Sequence, residues 1–234
     1  MNHGLAVSGN PKINEWLTAA VELSPLRFAE APATFARIMT DLNDTTSILS
    51  LLKTRKSASA KAMTEPGPTP EQLAEILTCA VRVPDHGKLN PWRFILWEGE
   101  AQSAFGEAMK ARWSVLHPEH GESTLSFAGA LFLRAPTVLA VISTAQDNPK
   151  IPVWEQQLSA GAVCMNILYA ATAMGIGCQW NTDWVAYDAE ICKVMGLSAH
   201  EKVAGVIYLG TPAGPLEDRP RPDPMSLLTR WQAS

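Results

Sequence analysis

The chain has no surplus of positive charge: 19 Lys and Arg stand against 23 Asp and Glu, a formal charge of −4. Nucleic-acid binding normally rests on a basic footprint, so nucleic acid is not expected as the main partner. Cysteine is scarce. The four present, Cys79, Cys164, Cys178 and Cys192, stand singly with no CxxC pair, which excludes a disulfide framework and a cysteine zinc cluster and fits a reducing cytoplasm. The histidines are read as lacking metal-ligand spacing, so no metal site is expected. Residues 1–10 carry no cationic head followed by an apolar run, hence no secretory signal is expected. The phosphate loops GxxxxGK(S/T) and GxGxxG and the nucleophile elbow GxSxG are missing, and no carboxylate pair has glycosidase spacing.

What is present suffices for a packed core. Apolar residues make up 47% of 234 and charged residues 18%, with 8 Trp, enough for one globular domain with an extension. Residues 158–177 are the least polar stretch, about long enough to cross a bilayer at roughly 20 residues. Asn166, Tyr169 and Thr172 within it, and its Ala/Gly content, favour a helix buried on all sides, in the fold or at a subunit interface. No membrane span is expected.

Residues 1–46 differ from the rest. Segments 16–23 and 33–42 have helical spacing but are broken by Pro25 and Pro32, and no polar cluster converges there. They are read as an appended helical arm of unknown role, with the main domain over residues 47–234. Within that domain, Ile48, Leu51 and Leu52 mark one helical face. Thr69-Pro70-Glu71-Gln72 is a helix start, with Thr69 as N-cap and Gln72 closing a capping box. That helix should stop near Val83, because the residue before Pro84 disfavours helical geometry. Further helices are expected over 101–116 and 188–195. Strands are expected over 93–97, 136–142 and 203–209, and a short extended piece after Gly175 and Gly177. A Pro-rich tail follows Gly210. Helices and strands interleave without strict alternation, which points to an α+β layered domain rather than a Rossmann sheet.

Two places could carry chemistry. Arg55-Lys56-Ser57 offers a bidentate guanidinium, a point charge and a neutral donor, a set suited to a phosphate dianion. The alternative is a solvated basic helix end favoured by the helix dipole. His86 lies in a polar loop beside Asp85, Lys88 and Asn90, where a lone histidine is ordinarily a structural hydrogen-bonding residue. Trp92, Trp97 and Trp154 are first read as packing residues.

Five pieces in order carry a resemblance: Leu51-Leu52-x-x-Arg55-Lys56-Ser57-x-Ser59; Pro84-Asp85-His86 with Asn90-Pro91-Trp92; Trp154-Glu155-Gln156 entering a Gly/Ala-rich helix; Gly175-x-Gly177-x-x-Trp180; and Tyr208-Leu209-Gly210-Thr211-Pro212. Together, over residues 47–226, they resemble the nitroreductase family of FMN enzymes, closest to its short, minimal NAD(P)H nitroreductase branch. The resemblance implies a three-layer fold with a mixed central β-sheet flanked by helices. It also implies a homodimer with flavins at the interface and an exchanged C-terminal tail. FMN would be the cofactor and NADPH or NADH the donor. Hydride would pass through flavin N5 in alternating, ping-pong turnover to a small-molecule acceptor such as a nitroaromatic or quinone. By the same likeness Arg55, Lys56 and Ser57 would hold the phosphate or ribityl chain, and Arg82 and His86 would contact the flavin from the loop side. Trp180, Asn181 and Thr182 would line it, and Arg221, or failing that Arg219, would complete the phosphate site. Ala170, Ala171, Thr172, Ala173, Met174 and Gly175 match a stretch which that branch associates with the nicotinamide. No side chain is assigned as catalytic.

The chain departs from the family at Lys56, where a second Arg is common, at Asn90 in place of Gln, and at Asn181-Thr182 in place of an Arg-Ser pair. One positive charge beside the flavin is thereby lost. A non-catalytic FMN-binding protein on the same scaffold is therefore a second reading.

Overall fold

The computed structural model describes residues 41–233, so the expected arm over residues 1–46 lies outside the described residues except for its last six. Those six are tied to the main domain. Asn43 N–H donates to Thr54 O (3.1 Å), Asp44 N–H to Thr54 Oγ1 (2.9 Å), and Lys56 N–H to Asn43 Oδ1 (2.7 Å).

Ser47 begins α1, Ile48–Thr54, by accepting from Ser50 N–H at 3.0 Å. After a 3₁₀ turn at Ala60–Ala62 comes β1, Met63–Thr64. The Thr69/Gln72 capping box forms as expected and starts α2, Pro70–Ala80, with Pro at its first position. The helix ends at Val81 (ψ 0°), two residues short of the expected stop, because Arg82 N–H turns back to Cys79 O. Next are β2, Trp92–Glu98, and α3, Glu100–Leu116. No signal in the sequence marked α4, Glu122–Gly129, or the 3₁₀ turn Ala130–Arg134 behind it. These pack on α3 where Gly106 meets Gly129. A Cβ on Gly106 would lie 2.7 Å from Gly129 O, so the helices approach at backbone distance. The remaining elements are β3, Thr137–Ser143; α5, Val153–Ala173; β4, Gly177–Asn181; α6, Ala189–Val194; and β5, Lys202–Pro212.

The sheet runs β1-β5-β3-β2, with β4 also paired to β5. Every pairing among the described residues is antiparallel, which corrects the expectation of a mixed sheet. Strands β3 and β4, joined across α5, run the same way, but β5 occupies the slot between them in the opposite sense. The would-be parallel pair becomes two antiparallel ones.

Alternation along the strands sorts the core into two faces. Val138, Ala140, Ile142, Val206 and Tyr208 face a cluster built on Trp97, Phe105, Met109 and Phe132. Leu139, Val141, Ile207 and Leu209 face Ile76, Ala80, Val163, Cys164 and Ile167 from α2 and α5. Helix, sheet and helix thus form three layers, as the resemblance implied. Helix α5 begins earlier than the apolar run, and within one chain the fold does not bury it all round: Trp154 (67% exposed) and Leu158 (54%) keep an open face near its start. No helix among the described residues is long and apolar enough to cross a membrane. Beyond β5 the tail is extended apart from a 3₁₀ turn at Pro224–Leu227.

Candidate functional site

Arg55 is the C-cap of α1. Its backbone leaves the helix at ψ 125° while its N–H still closes on Leu51 O at 2.8 Å. The chain then runs extended, and Arg55 Nη1 donates to Ser57 Oγ at 3.1 Å. Across from this pair, β4 ends at Trp180 and Asn181. The two segments are tied together by Gln179, whose side-chain oxygen accepts from Ala60 N–H.

Between them lies an open groove of about 830 Å³, lined by Arg55, Ser57, Trp180, Asn181, Thr182 and Asp183, with Met165, Leu168 and Ala204 as its apolar floor. Trp180 shares a face with Cys178 because side chains alternate along β4, which points both toward α5. Ala204 reaches the floor at a bulge in β5, where the register slips between Val141 and Ile142. At the lip, Asp183 has φ 56° and ψ 177°, a region ordinarily left to glycine, while its carboxylate accepts from Trp184 N–H at 2.7 Å. Tyr187 OH donates to Thr182 Oγ1 (3.2 Å) and steadies the same turn.

Of the expected residues, Arg55, Ser57, Trp180, Asn181 and Thr182 converge here. Lys56 turns the other way, into an adjoining hollow lined by Ser57, Gln179 and the first tail residues, Pro212 to Glu217. Arg221 is exposed and pairs with Asp218 at 3.6 Å. The Asp218 carboxyl is held below its usual range by the hydrogen bond it accepts from the Arg219 backbone and then by the charges of Arg221 and Lys56. Arg82 and His86 do not reach the groove within one chain. Arg82 lines a separate apolar hollow with Ile48, Leu51, Leu52 and Tyr169. His86 Nδ1 meets Glu155 Oε2 at 2.8 Å at the start of α5. Of residues 170–175, Ala170, Ala171 and Thr172 are buried, with Thr172 Oγ1 donating to Leu168 O, and Ala173, Met174 and Gly175 keep surface.

The groove residues that sequence reading missed are Asp183, Ala204 and the Met165/Leu168 floor, and it also missed Gln179, which lines the adjoining hollow and ties the two segments together. Only the alternation after Gly177 could have flagged Gln179. No thiol serves here: burial pushes Cys164 up to about 12 and raises Cys178 too.

The histidines correct the expectation that none has metal-ligand spacing. His117 and His120 stand three apart, and with Glu119 their ligand atoms lie within 4.8 Å of one another. The cluster is nevertheless built as an aromatic knot. Trp113 Nε1–H donates to His120 Nδ1 (3.0 Å), which leaves the proton, not a lone pair, on the Nε2 that faces Glu119 at 3.5 Å. The two imidazoles stack at 12° on each other beside Trp113.

Fold and groove together define a three-layer α+β protein with an open, anion-ready groove at the end of β4. The chain belongs to the nitroreductase family, whose sequence pattern matches residues 52–211. It is 35% identical over 164 residues, 70% of this chain and 87% of the relative, to "Putative NAD(P)H nitroreductase YdjA" of Escherichia coli strain K12. Among solved structures it resembles a nitroreductase-like family protein from Bacillus cereus, with TM-score 0.68, 22% identity, and coverage of 80% of this chain and 97% of that one. It also resembles a nitroreductase with bound FMN from Bacteroides fragilis, with TM-score 0.57, 21% identity, and coverage of 79% and 98%.

Proposed function

We propose that the chain is an FMN-dependent NAD(P)H oxidoreductase acting on a nitroaromatic, quinone or related acceptor. The observation that carries this is one groove with Arg55 and Ser57 at one end and Trp180 with an apolar floor at the other. That arrangement fits a molecule with a flat ring and a phosphate-bearing tail. Its volume of about 830 Å³ also suits a ligand of that size.

When bound, FMN supplies a ring position, N5, that accepts hydride and passes it on. The chain's own contribution is binding and orientation. Arg55 holds the anionic tail through charge-assisted hydrogen bonds, and Ser57, itself a hydrogen-bond partner of Arg55, adds a neutral one. Asn181 and Thr182 offer side-chain donors to the ring's polar edge. Trp180, Met165 and Leu168 form a flat apolar wall and keep water from that face. Lys56, in the adjoining hollow, supplies long-range positive potential.

A second copy completes the site in this reading. Helices α1 and α5 leave Ile48, Leu49, Leu52, Trp154 and Leu158 exposed on a face that also holds the hollow beside Arg82. A homodimer across that face would deliver the partner's Arg82 and His86 to the flavin, and the extended tail would lie along the mate. Surface for the nicotinamide, from NADPH or NADH, would come from Ala173, Met174 and Gly175. The four cysteines are free, which fits a reducing, cytoplasmic setting.

The experiment is direct. The purified protein, mixed with FMN and desalted, should stay yellow at one flavin per chain, and anaerobic NADPH or NADH should bleach it. A colourless protein after desalting ends the proposal. A yellow protein that neither nicotinamide bleaches instead supports the non-catalytic FMN-binding reading, which the neutral Asn181 and the acidic Asp183 at the groove favour.

A further inference from the structure

Gly205 sits inside β5 opposite Val141, in a strand where a residue without a side chain weakens packing. Its backbone is not among those with positive φ, so conformation does not require glycine there. Space does. A Cβ on Gly205 would lie 2.3 Å from Trp180 Nε1, 2.7 Å from Trp180 Cδ1 and 3.0 Å from Cys164 Sγ. Trp180 pairs with Ile207, which makes Gly205 its diagonal neighbour on the same face. The indole thus occupies the volume where the side chain of residue 205 would stand.

We infer that Gly205 is a positioning residue for the groove: its missing side chain lets Trp180 lie down against the sheet, and this sets the depth of the wall on which a flat ring stacks. The inference rests on the function proposed above. Three neighbouring features share the same logic. Beside Gly205, the bulge at Ala204 presents only a methyl group to the groove floor. Cys164, fully buried on α5, puts its Sγ 3.0 Å from the same Cβ position, so residue 205 finds no room on that side either. Trp180 itself is 37% exposed, so the direction open to it is outward, into the groove. A methyl on residue 205 therefore lifts the indole into the space the ring would occupy, and the sheet beneath need not open.

The test is a double-mutant cycle on the full-length protein with Gly205→Ala and Trp180→Ala, measured in two ways. In the first, FMN dissociation constants are obtained by flavin fluorescence. Gly205→Ala should weaken binding at least tenfold in the Trp180 background and less than twofold in the Trp180→Ala background. Equal losses in both backgrounds, or an unchanged constant for Gly205→Ala alone, overturn the inference. The second measurement uses apoprotein and needs no flavin: acrylamide quenching of tryptophan fluorescence should rise on Gly205→Ala, and the rise should vanish in the Trp180→Ala background. If wild-type protein ignores FMN, the functional proposal fails, and the quenching cycle still decides whether Gly205 seats Trp180. A Gly205→Ala protein that fails to fold with Trp180 in place but folds in the Trp180→Ala background also supports the clash. Failure to fold in both backgrounds overturns it.

Discussion

Among single residues, one guanidinium carries the largest share of the expected affinity. Replacing Arg55 by Ala should weaken FMN binding by about 2 kcal/mol, roughly thirtyfold, because the anion loses its bidentate partner. Titration by flavin fluorescence checks this, and unchanged affinity would place the phosphate elsewhere. His86 should behave differently. Its bond to Glu155 joins side chains that are 63% and 47% exposed, and such pairs contribute little to stability. His86→Ala should leave the melting temperature within about 1 °C of wild type, given the small worth of an exposed pair, and lower turnover if the partner subunit's flavin uses it. Glu201 is the opposite case. Its side chain is 7% exposed and takes two bonds from Arg93, at 2.6 and 2.9 Å, and one from Ser198 N–H. Arg93, then the Ser198 bond, hold its carboxyl down to about 2 against burial. Because the folded value is depressed, the stabilisation is present above the ordinary value near 4.5 and is lost as pH falls toward about 2. Glu201→Gln should cost about 2 kcal/mol at neutral pH and almost nothing near pH 2, seen as converging unfolding curves.

Among the elements, the groove exists because β4 is short. It stops at Asn181 while β5 continues back to Lys202, so residues 202–205 lack a β4 neighbour and their face is free to be a floor. Gln179 then pins the Arg55–Ser57 segment to β4 through Ala60 N–H. Gln179→Leu would leave that part-buried donor unpaired and should lower stability by about 1–3 kcal/mol, with weaker FMN binding as the anchor loosens. A melting curve and a flavin titration together check both parts. Element existence was largely legible from local chemistry. The Thr69 box, the β-branched run of β3 and the glycine stop after α5 are short-range signals, and each forms where expected. Helix α4 was missed because its packing depends on the remote approach of Gly129 to Gly106, and β1 because two residues carry no periodicity.

For the molecule as a whole, the proposed dimer would form on the unburied faces of α1 and α5. Leu158→Asp places a charge in the middle of that apolar face and should shift a dimer toward monomer by light scattering. FMN affinity should fall with it if the mate completes the site. A dimer with undiminished flavin binding would show that this face is not the interface. That β3 is buried could be read straight off the chain, since a short, continuous run of β-branched and apolar residues needs no partner to be seen. The closeness of Arg55 and Ser57, the proposed anchor pair, was visible in the same way, since they are near neighbours in the chain. Folding in three dimensions was needed to show that Arg55 and Lys56, adjacent in sequence, open into different hollows. The same holds for Arg82 and His86, which stand away from the groove in one chain, and for a glycine in β5 that makes room for a tryptophan in β4. Those are relations between residues distant along the chain, and a sequence fixes spacing along itself but not the directions in which separate elements aim their side chains.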